Sequence, residues 1–347
     1  MKTILLILSV MLCQLDSVMQ RAMADKLFAG AVVCYVENDS VSLLKAYGNQ
    51  AITPQVEPMT TQSVFDLASC SKATGAGSAA MLLIGEGRLS ASDPVKKYLP
   101  EWDNDAQIHH LMEHTSGLTS YLYVKRLDSL YRANTKGKHI SRHDYLIDTI
   151  CHTPRLNAPG EKYRYSCLNF ITLQNVVERI VGKDINTYMR ARLYKPLDME
   201  VFGWLPKKKW MPRIVSTEYI YSGTIEAERK GHIDSTACLR GIVHDPLARV
   251  MNEGISGNAG IFATAEDLAK WCVWFMSLTP EQREAGCNCG LWTDDDGSVG
   301  HTGYTGTSIR LWPEEHKAII LLTNRVHPED KGNLREVRQA VRTILHP

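Results

Sequence analysis

Residues 65–72 read Phe-Asp-Leu-Ala-Ser-Cys-Ser-Lys and lead into a run of small and aliphatic side chains. This run has helical spacing, at Ala73, Ala76, Ala80, Leu83 and Ile84. Ser69 therefore opens a helix, where unpaired backbone N–H groups and the helix dipole favour the negative charge of an alkoxide. Lys72 lies on the same helical face and can reach the Ser69 hydroxyl. Because burial in a cleft lowers the basicity of a lysine, we expect Lys72 to accept the hydroxyl proton.

A second serine and lysine with the same spacing occur in Ser42-Leu43-Leu44-Lys45. The alternating pattern there predicts a strand, which sends Ser42 and Lys45 to opposite faces. Cys70 is a rival nucleophile, but two residues along a helix place it about 200° from Lys72. We therefore predict that Ser69 is the nucleophile and that Cys70 is a small packed thiol.

Two β-hairpins are predicted near the ends of the chain. The first joins residues 31–36 to 40–47, and the second joins residues 307–312 to 318–323. A final amphipathic helix covers residues 333–345. Helix signals fill the middle, and the clearest are at residues 141–151, 170–181 and 264–276. Strands at both ends with helices between them predict one antiparallel sheet built from the two termini.

Four motifs follow one another along the chain. They are Ser69-Cys70-Ser71-Lys72, His114-Thr115-Ser116-Gly117-Leu118, Tyr165-Ser166-Cys167 and His301-Thr302-Gly303. With these motifs the chain, from about residue 15 to its C-terminus, resembles the serine β-lactamases, penicillin-binding proteins and related esterases, and within them the class C and esterase-like branch. In that family the corresponding elements are Ser-x-x-Lys, a His-Thr-Ser-Gly-Leu turn, Tyr-Ser-Asn or Tyr-Ser-Asp, and Lys-Thr-Gly or His-Thr-Gly.

The resemblance implies an α+β fold of the β-lactamase/transpeptidase type. Its antiparallel sheet is formed by N- and C-terminal segments, is flanked by helices and is accompanied by a mainly helical subdomain. Residues 19–347 would form a single domain of this type. Residues from about 19–89 and 290–347 would supply the sheet subdomain, and residues from about 90–289 the helical one.

The same resemblance implies an acyl-enzyme mechanism on ester or amide substrates, possible examples being β-lactams and D-amino-acid peptides. Ser69 would be acylated, and Lys72 and Tyr165 would form the acid/base pair, since a phenol beside an ammonium can relay a proton. The oxyanion hole would consist of the backbone N–H groups of Ser69 and Tyr304. Neither a cofactor nor a metal is implied.

The remaining substrate-binding positions implied by the resemblance are His301, Thr302, Gly303 and Cys167. Gly303 would allow the backbone to approach the substrate closely. Cys167 stands where the family has Asn or Asp, and a thiol is a weak hydrogen-bond partner. His301 stands where efficient β-lactamases have lysine, and a neutral imidazole attracts a substrate carboxylate less than an ammonium does. This difference favours the esterase and peptidase branch.

Two other classes of protein remain as alternatives. His110, Glu113 and His114 spell the His-x-x-Glu-His of inverted zinc peptidases, although the Thr-Ser-Gly that follows ends the helix and no convincing third ligand is seen. The second alternative is a sensor or scaffold that is acylated without turnover, which Cys167 supports. The retention of Ser69, Lys72 and Tyr165 favours an enzyme over both.

Composition and charge indicate which class of molecule the protein binds. The 347 residues carry 39 basic and 38 acidic side chains, so no global field favours nucleic acid or an anionic membrane. A small-molecule or peptide substrate is therefore expected. The 9 cysteines are scattered without the paired spacing of a disulfide framework.

The first residues, 1–18, are predicted to be a signal peptide or an N-terminal apolar segment. Lys2 precedes an apolar run over residues 4–13, which is too short to span a bilayer. We therefore expect no stable membrane span, and we expect export to the periplasm or cell envelope.

Overall fold

The computed structural model describes residues 2–220, 234–330 and 332–347. Its strands are β1 Gly30–Glu37, β2 Ser40–Ala51, β3 Glu57–Pro58, β4 Phe65–Asp66, β5 Phe202–Gly203, β6 Tyr219–Ile220, β7 Asp234–Cys238, β8 Phe262–Ala263, β9 Trp292–Thr293, β10 Val299–Thr302, β11 Ser308–Trp312 and β12 Lys317–Thr323. Its α-helices are α1 Lys2–Ala24, α2 Ser78–Gly85, α3 Ile108–Met112, α4 Val124–Asn134, α5 Arg142–Cys151, α6 Cys167–Val181, α7 Ile185–Met189, α8 Pro246–Met251, α9 Ala265–Met276, α10 Pro280–Ala285 and α11 Arg335–Leu345. Lys72–Gly77 and Arg190–Tyr194 are π-helical, and short 3₁₀ turns occur at Val95–Lys97, Lys208–Arg213, Cys287–Gly290 and Pro313–Glu315.

The two ends of the chain build one sheet, as the sequence predicts. Its seven strands lie in the order β3-β2-β1-β12-β11-β10-β9, and the pairs are antiparallel. Both predicted hairpins are present within it, as β1 with β2 and β11 with β12. Pairing of β1 with β12 then joins the N-terminal strands to the C-terminal strands, with Ala31 opposite Thr323. The predicted fold class is therefore confirmed.

Side chains alternate between the two faces of the sheet, and along β1 both faces are buried. On one face Ala31, Val33 and Tyr35 pack with residues of α1 and α11. On the other face Val32, Cys34 and Val36 belong to the main core, which includes α9 and the helices of the middle of the chain. The two layers together fix the sheet against the helical region.

The predicted helices of the middle are present, with small shifts at their ends. They are α5, α6 and α9, and each begins after a residue whose hydroxyl accepts a backbone N–H of the first turn. These N-cap residues are Ser141, Ser166 and Thr264. The cap at Ser166 ends the extended segment that carries Tyr165, so Tyr165 stands directly before a helix.

The N-terminal residues form a single helix, α1, that runs past residue 18. Leu15 and Met19 of this helix are buried against the sheet and α11. The expected boundary at residue 18 therefore lies inside a helix. Within the described ranges, no helix has the length and apolar character needed to cross a membrane.

Candidate active site

Ser69 lies in a tight turn between β4 and the helical segment that leads into α2. Ala68 before it has a left-handed backbone with φ 45°, which is uncommon for a residue with a side chain. The buried carboxylate of Asp66 stabilises this turn, since its Oδ1 accepts the N–H of Ala68 at 2.8 Å. Its Oδ2 accepts the N–H of His244 at 2.7 Å. Sequence reasoning missed Asp66, because the strained turn that it supports is not visible in a residue pattern.

The helix that follows Ser69 differs from the regular α-helix that we expected. Lys72–Gly77 are π-helical, and α2 begins only at Ser78. Two glycines allow close packing in this segment. A Cβ on Gly77 would lie 2.0 Å from the carbonyl oxygen of Cys289. A Cβ on Gly75 would lie 2.8 Å from the Trp204 ring. The widened turn still brings Lys72 back to Ser69.

Lys72 is completely buried, and its Nζ atom lies among polar groups of the site. It donates to the Oγ of Ser69 at 3.0 Å and to the main-chain carbonyl of Asn258 at 3.0 Å. The Sγ of Cys167 lies 3.6 Å away. The predicted approach of Lys72 to Ser69 is therefore confirmed. Asn258 was missed because it contributes a backbone atom, which any residue type could supply.

The direction in which the pKa of Lys72 is shifted differs from the expectation. Burial by itself lowers the pKa of the ammonium, but Cys167 and Tyr165 oppose this effect and the pKa is raised above its ordinary value. A raised pKa favours the ammonium form of Lys72. This direction is opposite to the one that burial alone would give, and the role of Lys72 as a proton acceptor stays a prediction.

Tyr165 lies at the edge of the same site and is 36% exposed. The Nζ of Lys72 is 5.0 Å from the centroid of its ring. The imidazole of His301 lies on another side, with 6.2 Å between ring centroids. The structure thus brings together Ser69, Lys72 and Tyr165, although Tyr165 is 96 residues from Ser69 in the sequence.

The turn after β10 packs directly against the segment before Ser69. Thr305 donates from Oγ1 to the carbonyl of Asp66, and Thr307 donates to that of Leu67, both at 2.8 Å. A Cβ on Gly303 would lie 2.5 Å from the Leu67 oxygen, so only glycine fits there. This contact holds the backbone at Tyr304 near the nucleophile turn.

Two backbone N–H groups of this region are candidates for an oxyanion hole. Within the part of the chain that the structure describes, neither the N–H of Ser69 nor that of Tyr304 has a hydrogen-bond acceptor. Unpaired N–H groups of this kind can stabilise a negative oxygen. They are the two groups that the family resemblance implies for the oxyanion hole.

His301 is buried beside the site. Its Nδ1 donates to the carbonyl of Thr302 at 2.8 Å, which leaves Nε2 unprotonated when the ring is neutral. Burial and the nearby Lys72 ammonium lower the pKa of His301 to about 3. The ring lies 5.2 Å from Trp292, measured between ring centroids. The lowered pKa agrees in direction with the expectation of a neutral imidazole at this position.

The two cysteines near Ser69 differ in their surroundings. Cys70 is fully buried, its Sγ donates to the carbonyl of His301 at 3.6 Å, and burial raises the pKa of its thiol to about 11. It is the packed thiol that we predicted. Cys167 is the first residue of α6, and burial raises the pKa of its thiol as well. The Sγ of Cys167 lies beside the Lys72 Nζ without a metal or disulfide partner among the described residues.

The three residues of the His-x-x-Glu-His motif each make hydrogen bonds within the protein. The Nδ1 of His110 accepts the N–H of Gln107 at 2.9 Å, and Glu113 contacts His109 at 3.1 Å. The Nδ1 of His114 accepts the N–H of Ser166 at 3.2 Å. A search of the described residues finds no group of three or more His, Cys, Asp or Glu side chains that could hold a metal.

The chain is similar to curated proteins in sequence and to solved structures in fold. The sequence is 26% identical over 377 aligned positions to an N-acetylmuramyl-L-alanine amidase of Bacillus subtilis, covering 93% of this chain and 84% of that protein. It is 27% identical over 330 positions to a putative D-alanyl-D-alanine carboxypeptidase of Salmonella typhimurium, covering 82% and 74%. Among solved structures, EstCE1, a hydrolase with promiscuous acyltransferase activity, superposes with a TM-score of 0.74 at 19% identity, covering 97% and 98%.

The family comparison covers nearly the whole chain. Residues 15–342 match the Beta-lactamase family. The similarity of fold extends through the sheet and the helical region, so it is not confined to the short motifs around Ser69. This chain belongs to the Beta-lactamase family.

Proposed function

We propose that this protein hydrolyses esters or amides through an acyl-enzyme on Ser69. The single observation that carries the proposal is the hydrogen bond of 3.0 Å from the Nζ of Lys72 to the Oγ of Ser69. It links a serine in a tight turn to a buried cation, which is an arrangement suited to nucleophilic catalysis. The activities named for the relatives, an amidase and a putative carboxypeptidase, support acyl transfer as the class of reaction.

In this mechanism Ser69 attacks the carbonyl carbon of the substrate. The step requires that the Lys72–Tyr165 pair has first released one proton to solvent; the Ser69 hydroxyl proton then passes to the pair through Tyr165, while Lys72 stays hydrogen-bonded to the Ser69 oxygen. The N–H groups of Ser69 and Tyr304 stabilise the oxyanion. Tyr165 returns the proton to the leaving group, and water then hydrolyses the ester on Ser69 by the reverse sequence.

The walls of the site favour uncharged substrates. With a pKa of about 3, His301 offers no fixed positive charge to a substrate carboxylate. The exposed aromatic residues Tyr165, Tyr304 and Trp292 add apolar surface. We therefore propose that short esters are better substrates than β-lactams or peptides that end in a carboxylate.

A labelled serine-reactive acyl probe on the intact protein tests the proposal, followed by a screen of ester, cephalosporin and D-Ala-D-Ala substrates. We expect Ser69→Ala to abolish both labelling and turnover, and Cys70→Ala to retain labelling. Labelling that survives Ser69→Ala and disappears in Cys70→Ala would overturn the serine mechanism. Labelling of Ser69 without turnover of any substrate would favour the acylated sensor, for which Cys167 beside Lys72 is the supporting observation.

We also propose that the protein acts in the cell envelope. The charged and apolar N-terminal residues support export, and the relatives' names refer to cell-wall substrates. Cell fractionation, with N-terminal sequencing of the mature protein, tests this. Recovery of the activity in the cytosolic fraction with Met1 intact would contradict it.

A further inference from the structure

His114 contacts Tyr165 and the residues on both sides of it. The main-chain carbonyl of His114 accepts the N–H of Arg164 at 2.8 Å. Its Nδ1 accepts the N–H of Ser166 at 3.2 Å. The imidazole packs against the Tyr165 ring, with 4.5 Å between the ring centroids. One residue therefore holds the backbone before and after Tyr165 and also one side of its ring.

The hydrogen bonds of His114 fix its tautomer. A backbone N–H can only donate, so Nδ1 is the unprotonated nitrogen and Nε2 carries the hydrogen. The side-chain amide of Asn169 lies 3.2 Å from the same Nδ1, and its Oδ1 accepts a hydrogen bond of 2.5 Å from Ser116. These bonds connect the turn after α3 to the first turn of α6, on which the placement of Tyr165 depends.

Two properties of His114 argue against a role as a general base in addition to the Lys72–Tyr165 pair. Burial, followed by the charge of Lys72, lowers the pKa of its imidazole to about 3, so the ring stays neutral and is a poor proton acceptor. Nε2 is buried and, among the described residues, has no hydrogen-bond partner. The ring is surrounded by Tyr163, Tyr165 and Phe170, with centroids 6.0, 4.5 and 5.3 Å away. Its contribution is therefore geometric.

The backbone of His114 is also unusual. Its φ is 58°, in the left-handed region, where residues other than glycine are uncommon. Such a conformation persists only where surrounding contacts maintain it. Tyr165 needs support of this kind, because at 36% exposure the packing of its own ring leaves it partly free.

We propose that His114 is a positioning residue that holds Tyr165 in the orientation needed for proton transfer beside Lys72, a role that rests on the function proposed above. The N-terminus of α6 has further supports. Ser166 donates from Oγ to the carbonyl of Thr119 at 2.6 Å, and the N–H of Cys167 donates to that of Ser120 at 3.0 Å. Removal of the imidazole therefore loosens Tyr165 while the helix stays in place.

The test measures kcat and KM for an activated ester in His114→Ala, His114→Asn and a matched control, His110→Asn. Asparagine tolerates the left-handed backbone and keeps an acceptor. His110 is the matched control because it lies on α3 and its Nδ1 also accepts a backbone N–H. That N–H belongs to Gln107, which is not next to Tyr165. We expect His114→Ala to lower kcat about 10- to 100-fold, with KM changed by less than about threefold. We expect His114→Asn to recover most of the loss and His110→Asn to resemble the wild type.

A double mutant with Tyr165→Phe separates positioning from a general effect on structure. In that background His114→Ala should lower kcat by no more than about twofold further, because the group that it positions is already gone. Additive losses, or a His114→Ala enzyme no worse than His110→Asn, would overturn the proposal. If His114→Ala does not fold, His114→Gln takes its place in the test. The longer glutamine side chain moves the acceptor away from the N–H of Ser166.

The outcome also distinguishes this proposal from the one on which it rests. If Tyr165→Phe lowers kcat and His114→Ala does not, only the positioning role fails. If Tyr165→Phe itself leaves kcat unchanged, the acid/base assignment of Tyr165 is wrong and the positioning role fails with it.

Discussion

The Sγ atom of Cys167 lies 3.6 Å from the Nζ atom of Lys72, in the place where the family that this chain resembles has an amide or carboxylate side chain. A thiol is a weak acceptor, whereas the Ser69 hydroxyl and the Asn258 carbonyl accept hydrogen bonds from Lys72, each at 3.0 Å. The site therefore has one strong acceptor fewer than an asparagine would give it.

Replacement of Cys167 tests the importance of this difference. We expect Cys167→Asn to increase kcat for amide or β-lactam substrates about tenfold, because an amide oxygen can orient Lys72 and the amide N–H₂ can contact the substrate carbonyl. Steady-state kinetics on a cephalosporin and an ester measure the effect. Cys167→Ala is the matched control and should show no gain; an Asn variant no faster than the Ala variant would count against this account.

Lys72 and Tyr165 should act as one unit on Ser69. We expect Lys72→Ala and Tyr165→Phe each to lower kcat roughly 10²- to 10⁴-fold, and the double mutant to be scarcely worse than the poorer single mutant. Lys45→Ala is the control, since Lys45 lies on β2 and pairs with Asp16 at 2.7 Å. Simple additivity of the two losses would refute a shared proton relay.

His301 should set the preference between substrates. We expect the wild type to hydrolyse short activated esters faster than cephalosporins, and His301→Lys to narrow that difference by supplying a cation for the carboxylate. His301→Gln, which stays uncharged, is the matched control. A wild-type protein that hydrolyses cephalosporins faster than every ester tested would move the assignment to a true β-lactamase.

The two buried histidines should make the fold sensitive to acid. Burial lowers the pKa of both His114 and His301 to about 3, against an ordinary value of 6.5. Below pH 6.5 the unfolded chain binds protons that the folded protein does not, so the free energy of unfolding falls as the pH drops toward 3. Each imidazole contributes up to about 1.4 kcal/mol per pH unit.

Denaturant unfolding at a series of pH values measures this dependence. We expect the free energy of unfolding of His301→Gln to fall less steeply between pH 6 and 4 than that of the wild type, because one titrating group is gone. Parallel curves for the two proteins would mean that His301 does not contribute. Above pH 6.5 His301 should contribute no pH dependence to the free energy of unfolding.

The sequence by itself determined the features that depend on near neighbours in the chain. The period-2 pattern of residues 31–36 and 40–47 fixed a hairpin, and helical spacing after Ser69 placed Lys72 on the same face as the serine. The order of the short motifs then indicated the family that the comparison confirms. Each of these features is decided within a few residues, so a pattern of residue types is sufficient to predict it.

The tertiary structure decided what surrounds Lys72. Its contacts to Cys167 and Asn258 span 95 and 186 residues of sequence, and the second uses a backbone carbonyl that has no signature in residue type. The raised pKa of Lys72 follows from Cys167 and Tyr165, both distant in the sequence, and its direction is opposite to an expectation based on burial alone. Likewise His114, read from the sequence as part of a turn or a zinc motif, contacts Tyr165 only because α3 and α6 pack together. Such properties depend on which distant segments meet in the core, and the local pattern of the chain does not encode that information.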